Sequence, residues 1–176
     1  MKLYRRPSVS HKNIFSKETL FQVARDLRRQ GVQVGLTHGA FDLFHISHLC
    51  LLQESARMCD YFIVGIDSDE NVAKYKSYKR PINGEKERME IISEVKGVDA
   101  VFLNDTGFSA SEYRKLYVDL GVDLITIGRG FNFVDEVKEE AIEIGASLIS
   151  IDTPQYPSTS AIVESIIKKY RDVPAD

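Results

Sequence analysis

The run Tyr61-Phe62-Ile63-Val64-Gly65-Ile66 restricts the fold more than any other stretch of the chain. It has the length of a strand and is too short for a stable helix. It lacks the apolar–polar alternation of a half-solvated strand, so it reads as a strand buried on both faces, as in a parallel sheet covered by helices. The segments around it repeat the theme. Strand-sized stretches at 32–37, 61–66, 100–103, 124–127 and 147–151 alternate with helical ones. A first helix starts at Ser16, whose hydroxyl can accept from the free amides of a first turn, and stops at Gly31. Its stripe is Leu20, Val23, Ala24 and Leu27. Further helical periods cover 48–58 (Leu49, Leu52, Ala56), 85–95 (Met89, Ile92, Val95), 109–120, 135–144 and 158–170.

This alternation predicts an α/β fold: a single-domain, Rossmann-like, parallel five-stranded sheet with helices on both faces. Ligands of such sheets bind beyond the carboxyl ends of the strands. The loops that follow the strands are therefore the candidates for chemistry: 37–48, 67–81, 104–108, 128–133 and 152–160. Residues 1–15 are basic and polar without a period and read as an N-terminal arm, with 16–176 as the domain. A net charge of −3 gives no global basic field, so no nucleic-acid partner is expected. Cys50 and Cys59 do not form a CxxC pair or a disulfide framework and read as reduced thiols near the core. The chain shows neither a signal-peptide run nor a span of bilayer length, so the expectation is a cytoplasmic protein with no membrane partner.

One loop stands out: Thr37-His38-Gly39-Ala40-Phe41-Asp42-Leu43-Phe44-His45-Ile46-Ser47-His48. It leaves the first strand and enters a helix. Gly39 lets the backbone approach a ligand closely. His45 and His48 stand at the mouth of the helix, where free amides and the dipole already favour an anion. Two imidazoles there can hydrogen-bond phosphate oxygens. Histidines at this spacing also suit a metal, but no further Cys or His cluster completes a closed zinc site. Neither GxGxxG nor GxxxxGK[ST] occurs, which argues against a dehydrogenase or a P-loop phosphotransferase.

Gly39-x-Phe41-Asp42-x-x-His45-x-x-His48 resembles the GxFDxxHxGH signature of the cytidylyltransferase-like nucleotidyltransferases. The likeness extends from about Lys12 to Lys169. Cys59-Asp60-Tyr61-Phe62-Ile63-Val64-Gly65-Ile66-Asp67-Ser68-Asp69 is similar to the family's second strand, Lys74 and Lys76 fall at its loop lysines, and Arg80-Pro81-Ile82-Asn83 with Glu87-Arg88 looks like its RPV…ER segment. Gly97-Val98-Asp99-Ala100-Val101 and Ser158-Thr159-Ser160 match two further landmarks. Within the family the chain resembles most the nucleotidyltransferase domain of bacterial ADP-heptose synthases, then the glycerol-3-phosphate cytidylyltransferases.

The resemblance implies transfer of a nucleotidyl group from a nucleoside triphosphate, ATP before CTP, to a sugar-phosphate or polyol-phosphate, with release of pyrophosphate. Such a product would be an activated precursor for surface polysaccharide. His45, His48 and Lys76 are the implied catalytic residues. Gly39, Ala40, Phe41, Asp42, Ser47, Lys74, Arg88, Gly128, Arg129, Ser158, Thr159 and Ser160 are the implied nucleotide-binding residues, with Arg88 and the Ser158 helix mouth on the distal phosphates. Asp42, Arg129 and Asn132 are expected at the acceptor. Magnesium is expected on the nucleotide phosphates rather than in a protein cage. A homodimer is expected from the likeness alone.

Plainer readings stand beside these. Lys74-Tyr75-Lys76-Ser77-Tyr78-Lys79-Arg80 also reads as a solvated basic loop, Arg88 as a surface ion-pairing residue, and Ser158-Thr159-Ser160 as a helix cap. The chain also departs from the family pattern. Ser47 replaces the glycine between the histidines, the segment 127–132 lacks the usual lysine and aspartate, 153–157 lacks the arginine of the cytidylyltransferases, and His38 replaces an asparagine of the heptose enzymes. A nucleotide-binding regulator or scaffold with impaired catalysis is the alternative that these departures keep open.

Overall fold

The computed structural model describes residues 13–107, 109–129, 134–153 and 157–171. Five strands form one parallel sheet: β1 Val34–Gly39, β2 Tyr61–Asp67, β3 Ala100–Asn104, β4 Leu124–Gly128 and β5 Ser147–Ile151. The helices are α1 Lys17–Arg29, α2 Ile46–Ala56, α3 Asp69–Tyr75, α4 Glu85–Ser93, α5 Ala110–Asp119, α6 Val134–Ile144 and α7 Thr159–Tyr170. Every helical and strand segment read from the pattern is present, with ends moved by a few residues.

Two apolar layers flank the sheet. Leu20 and Leu27 of α1, Leu116 of α5 with Leu120 just after it, and Val137 and Ala141 of α6 pack with Val34, Leu36 and Ile63 on one face. Leu51 and Leu52 of α2 and Ile92 of α4 pack with Phe62, Val64 and Ile66 on the other. Successive residues of β2 thus serve opposite layers, and all seven are buried. That is the physical reason the segment shows no alternation in sequence.

The loop expected at 67–81 is partly helical. Ser68 accepts from the Asn71 amide at 3.2 Å, and Asp69 and Glu70 occupy the first turn of α3. These start signals were present in the sequence, but the segment is short and carries little apolar periodicity. The arm is an expectation for residues 1–15, of which 1–12 lie outside the described residues. Its end pairs with the sheet: Ile14 bridges Val101 in parallel, and the Phe15 amide donates to the Val101 carbonyl at 2.9 Å. Among the described residues no helix is long and apolar enough to cross a membrane.

The strand order is β3-β2-β1-β4-β5. The chain winds outward from β1 in one direction and then returns to continue from β1 in the other. A crevice therefore opens where the connections from β1 and β4 diverge. The Thr37 hydroxyl ties the two strands there, donating to the Thr126 carbonyl at 2.8 Å.

Candidate functional site

A cavity of about 690 Å³ lies at this switch point, within the usual range for small-molecule sites. Gly39 ends β1 and Gly128 ends β4, and both line it. Ala40, Phe41, Asp42 and His45 join them from the connection to α2, and Ser47 and His48 from its first turn. Lys76, Arg80, Arg129, Ser158, Thr159 and Ser160 complete this side.

The backbone between β1 and α2 is strained. Phe41 and Leu43 have φ of 49° and 42°, in the left-handed region that side chains rarely adopt. Asp42 between them holds the loop. Its carboxylate accepts from Arg80 Nε at 2.7 Å and from the amides of Ile82, Asn83 and Leu43 at 2.9, 3.0 and 2.9 Å. Its carbonyl accepts from Thr159 Oγ1 at 2.8 Å. Burial works to raise the Asp42 pKa, but the hydrogen bonds from Asn83, Ile82 and Arg80 outweigh it and hold the carboxyl below the usual range. Asp42 was expected to touch the nucleotide and the acceptor. It borders the cavity, but its oxygens are engaged in fastening one loop to the next.

His45 is the N-cap of α2, and its side chain makes no capping bond. The first amides of that helix therefore have no side-chain acceptor at the cap. The His45 and His48 rings stack, with centroids 3.7 Å apart, while Phe41 and Phe44 contact the His48 ring. Nδ1 of each histidine is buried without a hydrogen-bond partner. Burial lowers the pKa of both. His48 is pushed down to about 3, with the neighbouring His45 adding to the effect. Two unpaired polar nitrogens beside uncapped amides form a place prepared for an anion. α7 opens onto the same cavity, its first turn capped by Ser158 Oγ, which accepts from the Ala161 amide at 3.3 Å.

Gly39 has an ordinary φ, and a Cβ there would meet the Phe41 ring at 3.5 Å, a normal contact. Packing among the described residues does not demand glycine there, and the absent side chain leaves the backbone open to the cavity.

Other expected residues lie differently. Arg88 is 1% exposed, does not line the cavity, and directs its guanidinium at protein oxygens. It donates to the carbonyls of Asn83 and Asp67 and to Asp69 Oδ1 at 3.0, 2.8 and 2.7 Å, and to Ala40 at 2.5 Å. It thus braces the loops beneath the cavity instead of reaching distal phosphates. A charge-rich helix hid this, because its partners come from three other segments. Lys74 pairs with Glu70 at 2.6 Å, outside the cavity, whereas Lys76 borders it from the end of α3. Arg129 lies 3.4 Å from Asp152 with its side chain 59% exposed. Asn132 lies outside the described residues. Sequence reading missed Arg80 and Thr153 in the lining, although Arg80 stood in a segment already singled out. It singled out His38 but missed Tyr113, Tyr117 and Glu140, which line the cavity with it on the other side of β1. Among the described residues no three His, Cys, Asp or Glu side chains gather into a metal cage.

Comparison with known proteins agrees with this geometry. The cytidylyltransferase-like family profile matches residues 36–167. The bifunctional protein HldE of Desulfatibacillum aliphaticivorans is 34% identical over 150 residues, which is 85% of this chain and 30% of that one. HldE of Citrifermentans bemidjiense is 32% identical over 84% of this chain and 30% of its own length. The chain therefore spans under a third of these relatives. The crystal structure of the lipopolysaccharide core biosynthesis protein of Thermoplasma volcanium superposes with a TM-score of 0.61 at 26% identity, covering 71% of this chain and all of that one (100%). Pantoate-beta-alanine ligase from Francisella tularensis gives a TM-score of 0.64 at 16% identity, over 94% of this chain and 80% of that one, and shows the shared fold alone.

Proposed function

The chain belongs to the cytidylyltransferase-like family of nucleotidyltransferases, and we propose that it joins a nucleoside triphosphate to a sugar-phosphate or polyol-phosphate and releases pyrophosphate. ATP is the favoured nucleotide and CTP the next. The observation that carries the reading is the pair of buried, unpartnered Nδ1 atoms of His45 and His48 at the uncapped mouth of α2. An anion with several oxygens satisfies both rings and the amides together, and a triphosphate chain has them.

In the proposed reaction a phosphate oxygen of the acceptor attacks the α-phosphorus in line. The bond to the bridging oxygen breaks, and pyrophosphate leaves with the electron pair. No protein nucleophile is required. The residues position two anions and stabilise the charge that develops between them. His45 and His48 are assigned to the α- and β-phosphates, Lys76 to the leaving group, and Arg129 to the acceptor phosphate, where a guanidinium can bind bidentately. The α7 mouth takes the distal phosphates. Magnesium is proposed to arrive with the nucleotide, since phosphate and water oxygens suit it better than the side chains gathered here, and it would offset phosphate charge.

The fold neighbour's description as a lipopolysaccharide core biosynthesis protein supports a role in making a surface-polysaccharide precursor. A cytoplasmic location is part of the same proposal, because nucleoside triphosphates are abundant there. A homodimer belongs to the same proposal: α7 leaves Ile166, Ile167 and Tyr170 exposed, and a second copy would cover them.

Pyrophosphate release, measured with each of the four nucleoside triphosphates against phosphorylated sugars and polyols, tests the reading. Release is expected with ATP or CTP. Folded protein that releases none with any pair overturns it. Nucleotide binding without turnover would favour a regulator, a reading for which Ser47 between the two histidines and the altered segment 128–132 are the motives.

A further inference from the structure

The cavity extends into a second lobe, away from the residues assigned to the nucleotide in the proposed function. It lies on the α5 and α6 side of β1 and is lined by His38, Tyr113, Tyr117 and Glu140, with Asp67 and Tyr75 beside them. Most of its polar groups are tied to one another. Tyr75 donates its hydroxyl to Asp67 Oδ2 at 2.7 Å, and Asn104 Nδ2 donates to Asp67 Oδ1 at 2.8 Å. His38 Nε2 lies 3.2 Å from the Tyr117 hydroxyl, with the donor set by the tautomer. Glu140 is the exception. It is 4% exposed, it borders the cavity, and its Oε2 has no hydrogen-bond partner. A buried, unpaired carboxyl oxygen is costly to the fold and calls for a ligand.

We propose that this lobe seats the hydroxyl groups of the acceptor's carbon chain, with Glu140 as the residue that selects a polyol or sugar over an amino alcohol. The proposal rests on the nucleotidyl-transfer reading, which supplies a phosphorylated acceptor. Acidic groups surround the lobe, so the acceptor's phosphate belongs on the histidine and Arg129 side and its uncharged part here. Burial pushes the Glu140 carboxyl up to about 7, against Arg114 of α5, with Glu136 and Glu143 of α6 adding to the rise. A good share is therefore the neutral acid at neutral pH, able both to donate and to accept as a hydroxyl requires. Burial likewise raises the Tyr113 hydroxyl to about 12, and the Tyr117 hydroxyl also rises, so both stay protonated. An ammonium would need an ionised carboxylate with a free oxygen, but Asp67 Oδ2 and Oδ1 already accept from Tyr75 and Asn104, and an uncharged Glu140 offers no counter-ion.

The test is calorimetric titration of the whole chain, loaded with a non-hydrolysable ATP or CTP analogue and magnesium. The probes are glycerol 3-phosphate, mannose 1-phosphate, O-phosphoethanolamine and inorganic phosphate. At least one hydroxylated probe is expected to bind about tenfold or more tightly than the last two, the discrimination one well-placed polar contact supplies. Glu140→Leu is expected to weaken that probe about tenfold, to leave nucleotide affinity within about twofold, and to melt no lower than the wild type, because it removes a buried unpaired oxygen. Glu140→Gln, of the same shape and still able to donate and accept, is expected to stay within about threefold of the wild type. Preference for phosphoethanolamine, no binding of either hydroxylated probe, or unchanged probe affinity in Glu140→Leu overturns the proposal. Failure of both nucleotide analogues to bind the wild type overturns instead the reading beneath it.

Discussion

Under the proposed function, His48 is the group that acts on the phosphates and Gly39 the one that makes room for them. His48 Nδ1 is buried, unpartnered and beside the free amides of α2. Replacing His48 with alanine is expected to lower turnover by about 10²–10³, the usual loss for one preorganised donor, in steady-state pyrophosphate release from protein whose circular dichroism is unchanged. An unaltered rate would remove His48 from the chemistry. Gly39→Ala should act differently. The added methyl meets only an ordinary contact with Phe41, so the melting midpoint should hold, while a phosphate approaching the backbone is displaced. Nucleotide Kd is expected to rise about tenfold, roughly 1.4 kcal/mol; an equal affinity would show that the ligand does not come close to β1. Both residues were legible in sequence, because glycine, Phe-Asp and two histidines coincide at a strand-to-helix turn. Arg88 was not. A single arginine among charged neighbours carries no signal of burial until the loops it braces are assembled around it.

At the scale of elements, the connection from β1 to α2 is a strained loop fixed by a remote one. Asp42 ties Leu43 in its own loop to Arg80, Ile82 and Asn83 in the loop before α4. Removing the carboxylate leaves Arg80, whose side chain is 14% exposed, and several amides without an acceptor. Asp42→Ala is therefore expected to cost about 3 kcal/mol in urea denaturation, as for one partner of a buried ion pair. It should also weaken nucleotide binding, since Phe41 and Leu43 lose what holds them at positive φ. A loss under about 1 kcal/mol would mean that the loop is held elsewhere. The sequence could not show this clasp. It announces an aspartate beside the histidines, and its partners lie 38 to 41 positions away. The helices and strands were far more legible, because their patterns are local: Ser16 and Ser109 stand before amphipathic runs, and β2 is apolar throughout. α3 escaped because a short helix with one polar first turn has little period to read. The group of Tyr113, Tyr117 and Glu140 escaped because its residues come from α5 and α6 and meet His38 of β1 only through the strand order.

At the scale of the molecule, groups that burial shifts in opposite directions set the dependence of stability on pH. His38, His45 and His48 all have lowered pKa values in the folded chain. The unfolded chain binds their protons from about pH 6.5 downward, so folding loses stability as pH falls through that range. Glu140 works the other way. Its folded pKa is raised to about 7, so its contribution is fully present below the unfolded value and is lost as pH rises through about 7. Three histidines oppose one glutamate, so between pH 5 and 6.5 the unfolded state holds more of these protons and the melting midpoint should climb with pH. Above pH 7 these groups should add little further slope. A midpoint that falls from pH 5 to pH 7 would contradict the burial of the histidines. A bound triphosphate should change the profile, because phosphate charge beside His45 and His48 favours their protonated forms. Melting curves at pH 5.5 and 7.5 with saturating nucleotide are therefore expected to differ less than those without it. If the nucleotide raises both midpoints equally, the phosphates do not lie against the histidines, and the site must be assigned to another part of the cavity.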